Sequence, residues 1–188
     1  MLPKKYHFLY TVGLLPRTVT AFLSIYGTKE VLGPGNSLII LGWAKILKIK
    51  NYVADSIAWC GLAMAWIVTQ AGYEVKGSLD KNGFDALKDN PLWARFWLLF
   101  GIKTDIPMLG DVCIFSREGG GGHVGLYIAE DKTHYHIGGG NTSDDTIIMR
   151  IAKTRLLGAR IPPYKNRPAE SRKRYFVDAT GAISTNEA

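Results

Sequence analysis

The run Ile57-Ala58-Trp59-Cys60-Gly61-Leu62-Ala63-Met64-Ala65-Trp66-Ile67-Val68-Thr69-Gln70-Ala71-Gly72 constrains the fold more than any other stretch of the chain. Positions 60, 63, 64, 67, 68 and 71 form one apolar stripe at helical spacing, and 62, 65 and 66 make the opposite side almost as apolar. A helix that is apolar all round must be covered on all sides, so the other elements have to pack around it. Asp55 or Ser56 is placed to cap its start, and Gly72 to end it. Cys60 then falls in the first turn, where unpaired backbone N–H groups and the helix dipole favour negative charge and offer donors to an oxyanion. Such a position suits a nucleophile. The plainer alternative is a small, buried core residue.

With 188 residues and 47% hydrophobic content, the chain has material for one sizeable core. One domain over residues 1–162 is expected, followed by a polar, basic extension over 163–188. A net charge of +7 points to an anionic partner: a cell-wall polymer, a membrane surface or nucleic acid. Cys60 and Cys113 are too few for a disulfide scaffold and lack zinc-knuckle spacing. One functional thiol in a reduced compartment is the economical reading, with a Cys60–Cys113 bridge as the alternative. Lys4 and Lys5 before the apolar Phe8–Leu15 superficially resemble a short signal peptide, but Pro16 and Arg17 interrupt it and no small-x-small cleavage site follows. No apolar run is long enough to predict a membrane-spanning helix.

Taken in order, apolar residues at 15, 19, 22, 23 and 26 predict a first helix ending at Gly27, and Leu38–Ile49 predicts a second with Lys45, Lys48 and Lys50 on its solvated side. Between them, residues 28–37 have the Gly, Pro and Asn density of an ordered loop. Beyond the central helix, Trp93, Phe96, Trp97 and Phe100 fit a short helix that covers the core. Val112–Phe115 reads as a strand buried on both faces, with Cys113 an inert core residue, and His123–Ala129 as the next strand after the glycine loop 119–122. Thr133–Ile137, Thr146–Arg150 and Leu156–Ile161 complete about five strands, with Gly138–Asn141 as a glycine-rich exit. Helices followed by an antiparallel meander make an α+β fold. The basic extension carries Lys165, Arg167, Arg172, Lys173 and Arg174, and by composition its default reading is a flexible tail.

Three polar residues recur at predicted element ends: Cys60 at a helix start, His123 at a strand start, and Asn141 after the following strand. A thiol, an imidazole to take its proton and a polar group to orient the imidazole describe a cysteine hydrolase. The segments Gly33-Pro34-Gly35-Asn36, Trp59-Cys60, Gly110-Asp111-Val112, Gly122-His123-Val124-Gly125, Gly139-Gly140-Asn141 and Arg155-Leu156-Leu157-Gly158 resemble, in order and spacing, a family of phage and prophage lysin-like proteins. That family is similar to the CHAP and NlpC-type peptidoglycan hydrolases of the papain-like superfamily. The resemblance covers residues 14–162. It implies N-terminal helices and a central cysteine-bearing helix packed on an antiparallel sheet, and hydrolysis of amide bonds in bacterial peptidoglycan stem peptides. It further implies Cys60 as nucleophile, His123 as general base and acid, Asn141 as orienting group, and Trp59 and Gly61 beside the oxyanion site.

Two departures stand out. Gly61 occupies a position where the family usually has a hydroxyl residue, which removes a local hydrogen bond. His136, on the strand after His123, is a rival to Asn141 as third member, because NlpC-type enzymes often use a histidine there. A phage-type endolysin or related lytic protein follows as the expectation. It would be made in a host cytoplasm and act at the wall or periplasm as a monomer without cofactor or metal, adhering to an anionic wall or outer-membrane polymer rather than nucleic acid. The competing readings are a zinc amidase or peptidase using His123, His134 and His136, since His-x-His on a strand presents two imidazoles to one side, and a non-catalytic wall- or nucleic-acid-binding module.

Overall fold

Helices come first in the chain and the sheet second. The computed structural model describes residues 1–184, with helices α1 (Arg17–Ile25), α2 (Leu38–Ile46), α3 (Cys60–Gln70) and the single turn α4 (Ala86–Asp89). Strands β1 (Ile102–Thr104), β2 (Val112–Ser116), β3 (Gly122–Glu130), β4 (His134–Thr142), β5 (Asp145–Ala152) and β6 (Leu156–Ile161) follow. They form an antiparallel sheet in the order β1-β6-β2-β3-β4-β5, so the meander β2 to β5 is extended when β6 returns beside β2. The α+β class read from the sequence is the class observed.

The sheet has six strands among the described residues rather than about five. The added strand is β1, whose three residues Ile102-Lys103-Thr104 are too short to show an alternating pattern. β4 also runs on through Gly138-Gly139-Gly140-Asn141, which the sequence suggested as an exit. Crowding by neighbours accounts for glycine in this part of the strand: a Cβ on Gly138 would lie 2.7 Å from the Phe22 ring, and one on Gly140 would lie 2.3 Å from Trp59. Tolerance of glycine in a strand often marks such close approach.

α3 is enclosed as its composition requires, with Leu62, Ala63, Met64, Ile67 and Val68 wholly buried. α1 and α2 flank it, and β3 and β4 lie beneath it. Val112, Ile114, Val124, Leu126 and Ile128 belong to this main core, while Cys113, Phe115, Tyr127 and Ile137 form a second cluster. Alternating side chains of β2 and β3 therefore serve two layers. No disulfide joins Cys60 and Cys113, and burial raises the Cys113 thiol well above its usual range.

The N-terminal segment that resembles a signal peptide forms a 3-10 helix over Lys4–Tyr10, with Tyr6 and Leu9 buried in the core. The described part of the extension is seated on the domain rather than free. The backbone N–H of Glu130 donates to the Tyr175 carbonyl at 2.8 Å, and that of Val177 donates back to the Glu130 carbonyl at 3.0 Å. Arg150 and Ser184 N–H groups make a similar exchange with Ala182 and Arg150 carbonyls. Tyr175 stacks on Phe8 at 4.5 Å, tying both ends of the described chain to one region. Residues 185–188 lie outside the described residues.

Candidate active site

The start of α3 is prepared by the segment before it. Trp59 is the N-cap residue and no side chain caps the helix, so Asp55 and Ser56 do not play the capping role that their positions suggest. Asp55 instead turns away and accepts the backbone N–H groups of Val31 at 3.0 Å and Ser37 at 2.6 Å. Its own N–H donates to Asn36 Oδ1 at 2.9 Å. The Gly33-Pro34-Gly35-Asn36 loop is thereby tied to the segment that leads into α3. Because the first N–H groups of an α-helix have no intrahelical partner, the start of α3 is the part of that helix able to offer donors to an anion.

Gly61 has a steric cause. A Cβ there would lie 2.4 Å from the Leu92 carbonyl oxygen and 2.5 Å from that of Pro91. A side chain there would force those backbone carbonyls to shift, which gives glycine a steric advantage at this position. Trp59 is wholly buried; its indole Nε1–H donates to the Glu30 carboxylate and its ring leans on Trp43. It supports the helix start from within and lines no open surface. Burial raises the Glu30 pKa despite that hydrogen bond.

The sheet supplies the other two residues. In the β3–β4 ladder Leu126 pairs with Gly138, and beyond that pair the start of β3, with His123, and the end of β4, with Asn141, run on toward the same end of the sheet. A Cβ on Gly139 would lie 3.7 Å from His123 Nε2, whereas one on Gly140 would meet Trp59 and Ala63, on either side of Cys60 in the helix sequence. The structure thus brings Cys60, His123 and Asn141 to one end of the sheet, all three buried. The β4–β5 register shifts between Gly139 and Thr142, and Asn141 has φ +57°. This breaks the regular pleat where Asn141 leaves it; asparagine tolerates the left-handed region better than most residues. The Asn141 Nδ2 amide is buried without a hydrogen-bond partner among the described residues. Upstream of His123, Arg95 Nε–H donates to the Gly121 carbonyl at 3.0 Å and anchors the glycine loop.

His136 is not brought to that end. It stands opposite Ala129, roughly six residues along β3 from His123, which at ~3.3 Å per residue is about 20 Å. There Asp131 Oδ2 lies 3.0 Å from its Nε2 and the Tyr6 hydroxyl 2.7 Å from its Nδ1. A carboxylate only accepts, so Nε2 carries the proton and Nδ1 accepts from Tyr6. Burial lowers the His136 pKa to about 4, the Asp131 contact offsetting only part of that, and the ring is neutral at pH 7. Arg150 Nε–H completes this cluster with a 2.8 Å bond to Asp131, whose pKa is held well below the carboxylate range because these hydrogen bonds outweigh its desolvation.

His134 Nδ1 faces the Thr133 hydroxyl at 2.8 Å. Among the described residues no group of three or more His, Cys, Asp or Glu side chains is placed to hold a metal, and the trio His123, His134 and His136 is split between two regions of the sheet. Asp111, in the Gly110-Asp111-Val112 motif, serves the fold. It is buried, accepts the Met108 N–H at 2.9 Å and meets Arg167 at 3.5 Å, and burial pushes its pKa up to about 7.

Several supporting residues leave no spacing signal in the sequence. Nothing periodic links Asp55 to the N–H groups of Val31 and Ser37, or Arg95 to the Gly121 carbonyl; only the tertiary fold pairs them. Neither a protein-family model nor a curated protein sequence matches the chain.

Proposed function

We propose that the chain is a papain-like cysteine hydrolase, with Cys60 as nucleophile, His123 as general base and acid, and Asn141 as orienting group. The observation that supports this reading is the convergence described above: the start of α3 seated on Gly140, with His123 at the start of β3 beside Gly139 and Asn141 at the end of β4. The Cys60 thiol gives its proton to the His123 imidazole as sulfur attacks an amide carbonyl. The oxyanion takes N–H donors at the start of α3. On collapse the C–N bond breaks, His123 protonates the departing amine, and a thioester remains on Cys60. Water, deprotonated by His123, then hydrolyses the thioester to a carboxylic acid and restores the thiol. Asn141 holds the imidazole orientation through both steps.

Bacterial peptidoglycan stem peptides are the proposed substrate, in a lytic protein of the phage endolysin type. Support comes from the motif set shared with the resembling family and from a charge of +7, which favours adhesion to an anionic wall. The reading is tested by digesting purified peptidoglycan and identifying released fragments by mass. New amino termini are expected with the wild type and none with Cys60→Ala, while Asn141→Ala should lower kcat about 100-fold with KM little changed. Equal fragments from wild type and Cys60→Ala would refute the thiol mechanism.

A further inference from the structure

The outward face of α2 is apolar where a surface helix is ordinarily polar. Leu38 is 84% exposed, Ile39 59% and Ile46 64%. At 100° per residue these three, with Gly42 and Lys45, occupy about 120° of arc. Ile40, Trp43 and Ala44 fill the opposite side and pack inward. The helix therefore satisfies the core with one face and leaves a second apolar face to something outside.

Neighbouring segments enlarge this face. The Asp55 carboxylate holds the N–H groups of Val31 and Ser37, so the loop bearing Val31 and Leu32 is drawn to the start of α2. Over residues 31–54 the sequence contains Lys45, Lys48 and Lys50 and no carboxylate. In the same stretch Val31, Leu32, Leu38, Ile39, Ile46 and Val53 are all exposed, six of the 18 large apolar side chains that are exposed among the described residues. Apolar exposure and positive charge thus coincide in one short stretch of the sequence, although Asp89 lines the pocket beside Lys48 and Lys50.

We infer that this face docks on an anionic phospholipid bilayer, with Leu38, Ile39 and Ile46 entering the headgroup boundary and Lys45, Lys48 and Lys50 meeting lipid phosphates. A short helix with an apolar face and flanking lysines lies in the plane of such an interface. The charges argue against the other occupants. In a two-fold contact between copies the patch meets itself, bringing three lysines per chain together with no carboxylate from 31–54 to offset them. A nucleic acid or an anionic wall polymer would pair with the lysines and leave the leucine and isoleucines in water. No described helix is long and apolar enough to cross a membrane, so the contact is peripheral. This docking is independent of the hydrolase reading.

The experiment is co-sedimentation with phosphatidylcholine vesicles, with and without about one third phosphatidylglycerol. The variants are Leu38→Ser/Ile39→Ser and Lys45→Gln/Lys50→Gln, whose side chains lie outside the core and whose fold is checked by circular dichroism. Wild type should partition to the anionic vesicles alone. The apolar pair should lose at least about tenfold in partition coefficient, and the lysine pair roughly 25-fold at about fivefold per lysine. Absence of partition by wild type would overturn the proposal, as would partition insensitive to Leu38→Ser/Ile39→Ser. A concentration-dependent dimer in sedimentation equilibrium that the same substitutions abolish would assign the face to a second copy instead.

Discussion

At Gly61 a single methyl group tests how tightly the start of α3 is held. The Leu92 and Pro91 carbonyl oxygens lie 2.4 and 2.5 Å from where an alanine Cβ would stand. Gly61→Ala is expected to cost about 1–3 kcal/mol by overpacking, less any gain in helix propensity, and urea denaturation would measure it. A cost near zero would mean that residues 91–92 yield. His136 carries a pH dependence. Its folded pKa, about 4, lies below the ordinary 6.5, so as pH falls the unfolded chain binds the proton first. Its contribution is complete above pH 6.5 and is lost between there and pH 4, a loss approaching about 3 kcal/mol. Asp111 works in the opposite sense, since its raised pKa makes ionisation costly as pH rises toward 7. The informative quantity is therefore the difference between wild type and His136→Gln. Denaturation midpoints across pH 4–7 should converge toward the acid end, and a difference independent of pH would contradict the assignment.

Among the elements, the strap over residues 163–184 does most to change what composition suggested. Its basic residues are largely committed: Arg174 makes bonds of 2.6 and 2.8 Å to the buried Glu130, Arg167 holds Ser171 and Asp111, and Lys173 pairs with Glu170. Burial alone would raise the Glu130 pKa, but hydrogen bonds from Arg174, Lys153 and Tyr127 hold it at about 2. Truncation after 162 removes Arg174 and leaves Lys153 paired with Glu130 among the described residues, and should cost more than about 3 kcal/mol in thermal or urea unfolding. Unchanged stability would show the strap to be an ornament. Periodicity announced α3 and the strands β2, β3, β5 and β6 because each carries its pattern within its own residues. The strap is invisible to such reading, since Arg174 and Tyr175 look like tail residues until Glu130 and Phe8 are beside them. For the same reason Cys60, His123 and Asn141 were legible as element ends, whereas the separation of His136 from them needed the register of β4.

For the molecule as a whole, the +7 charge divides into cations that hold the fold and cations that face outward. Exposed Lys165 and Arg172 are suitable for testing wall adhesion, because removing Arg167 or Arg174 would disturb ion pairs of the domain as well. The exposed lysines around α2 are a separate group in the sequence, so the proposed wall adhesion and the proposed lipid docking can be tested with different substitutions. The hydrogen bond between Tyr6 and His136 has one more consequence, because it joins residues 130 positions apart. At ~5–20 residues per second, a ribosome delivers the partner of Tyr6 on the order of ten seconds after Tyr6 itself. Over that interval Phe22, Trp59 and the all-apolar α3 have emerged without Gly138 and Gly140 to receive them. The nascent chain therefore carries that apolar surface uncovered until β4 has been made, and raising chaperone supply is expected to raise its soluble yield.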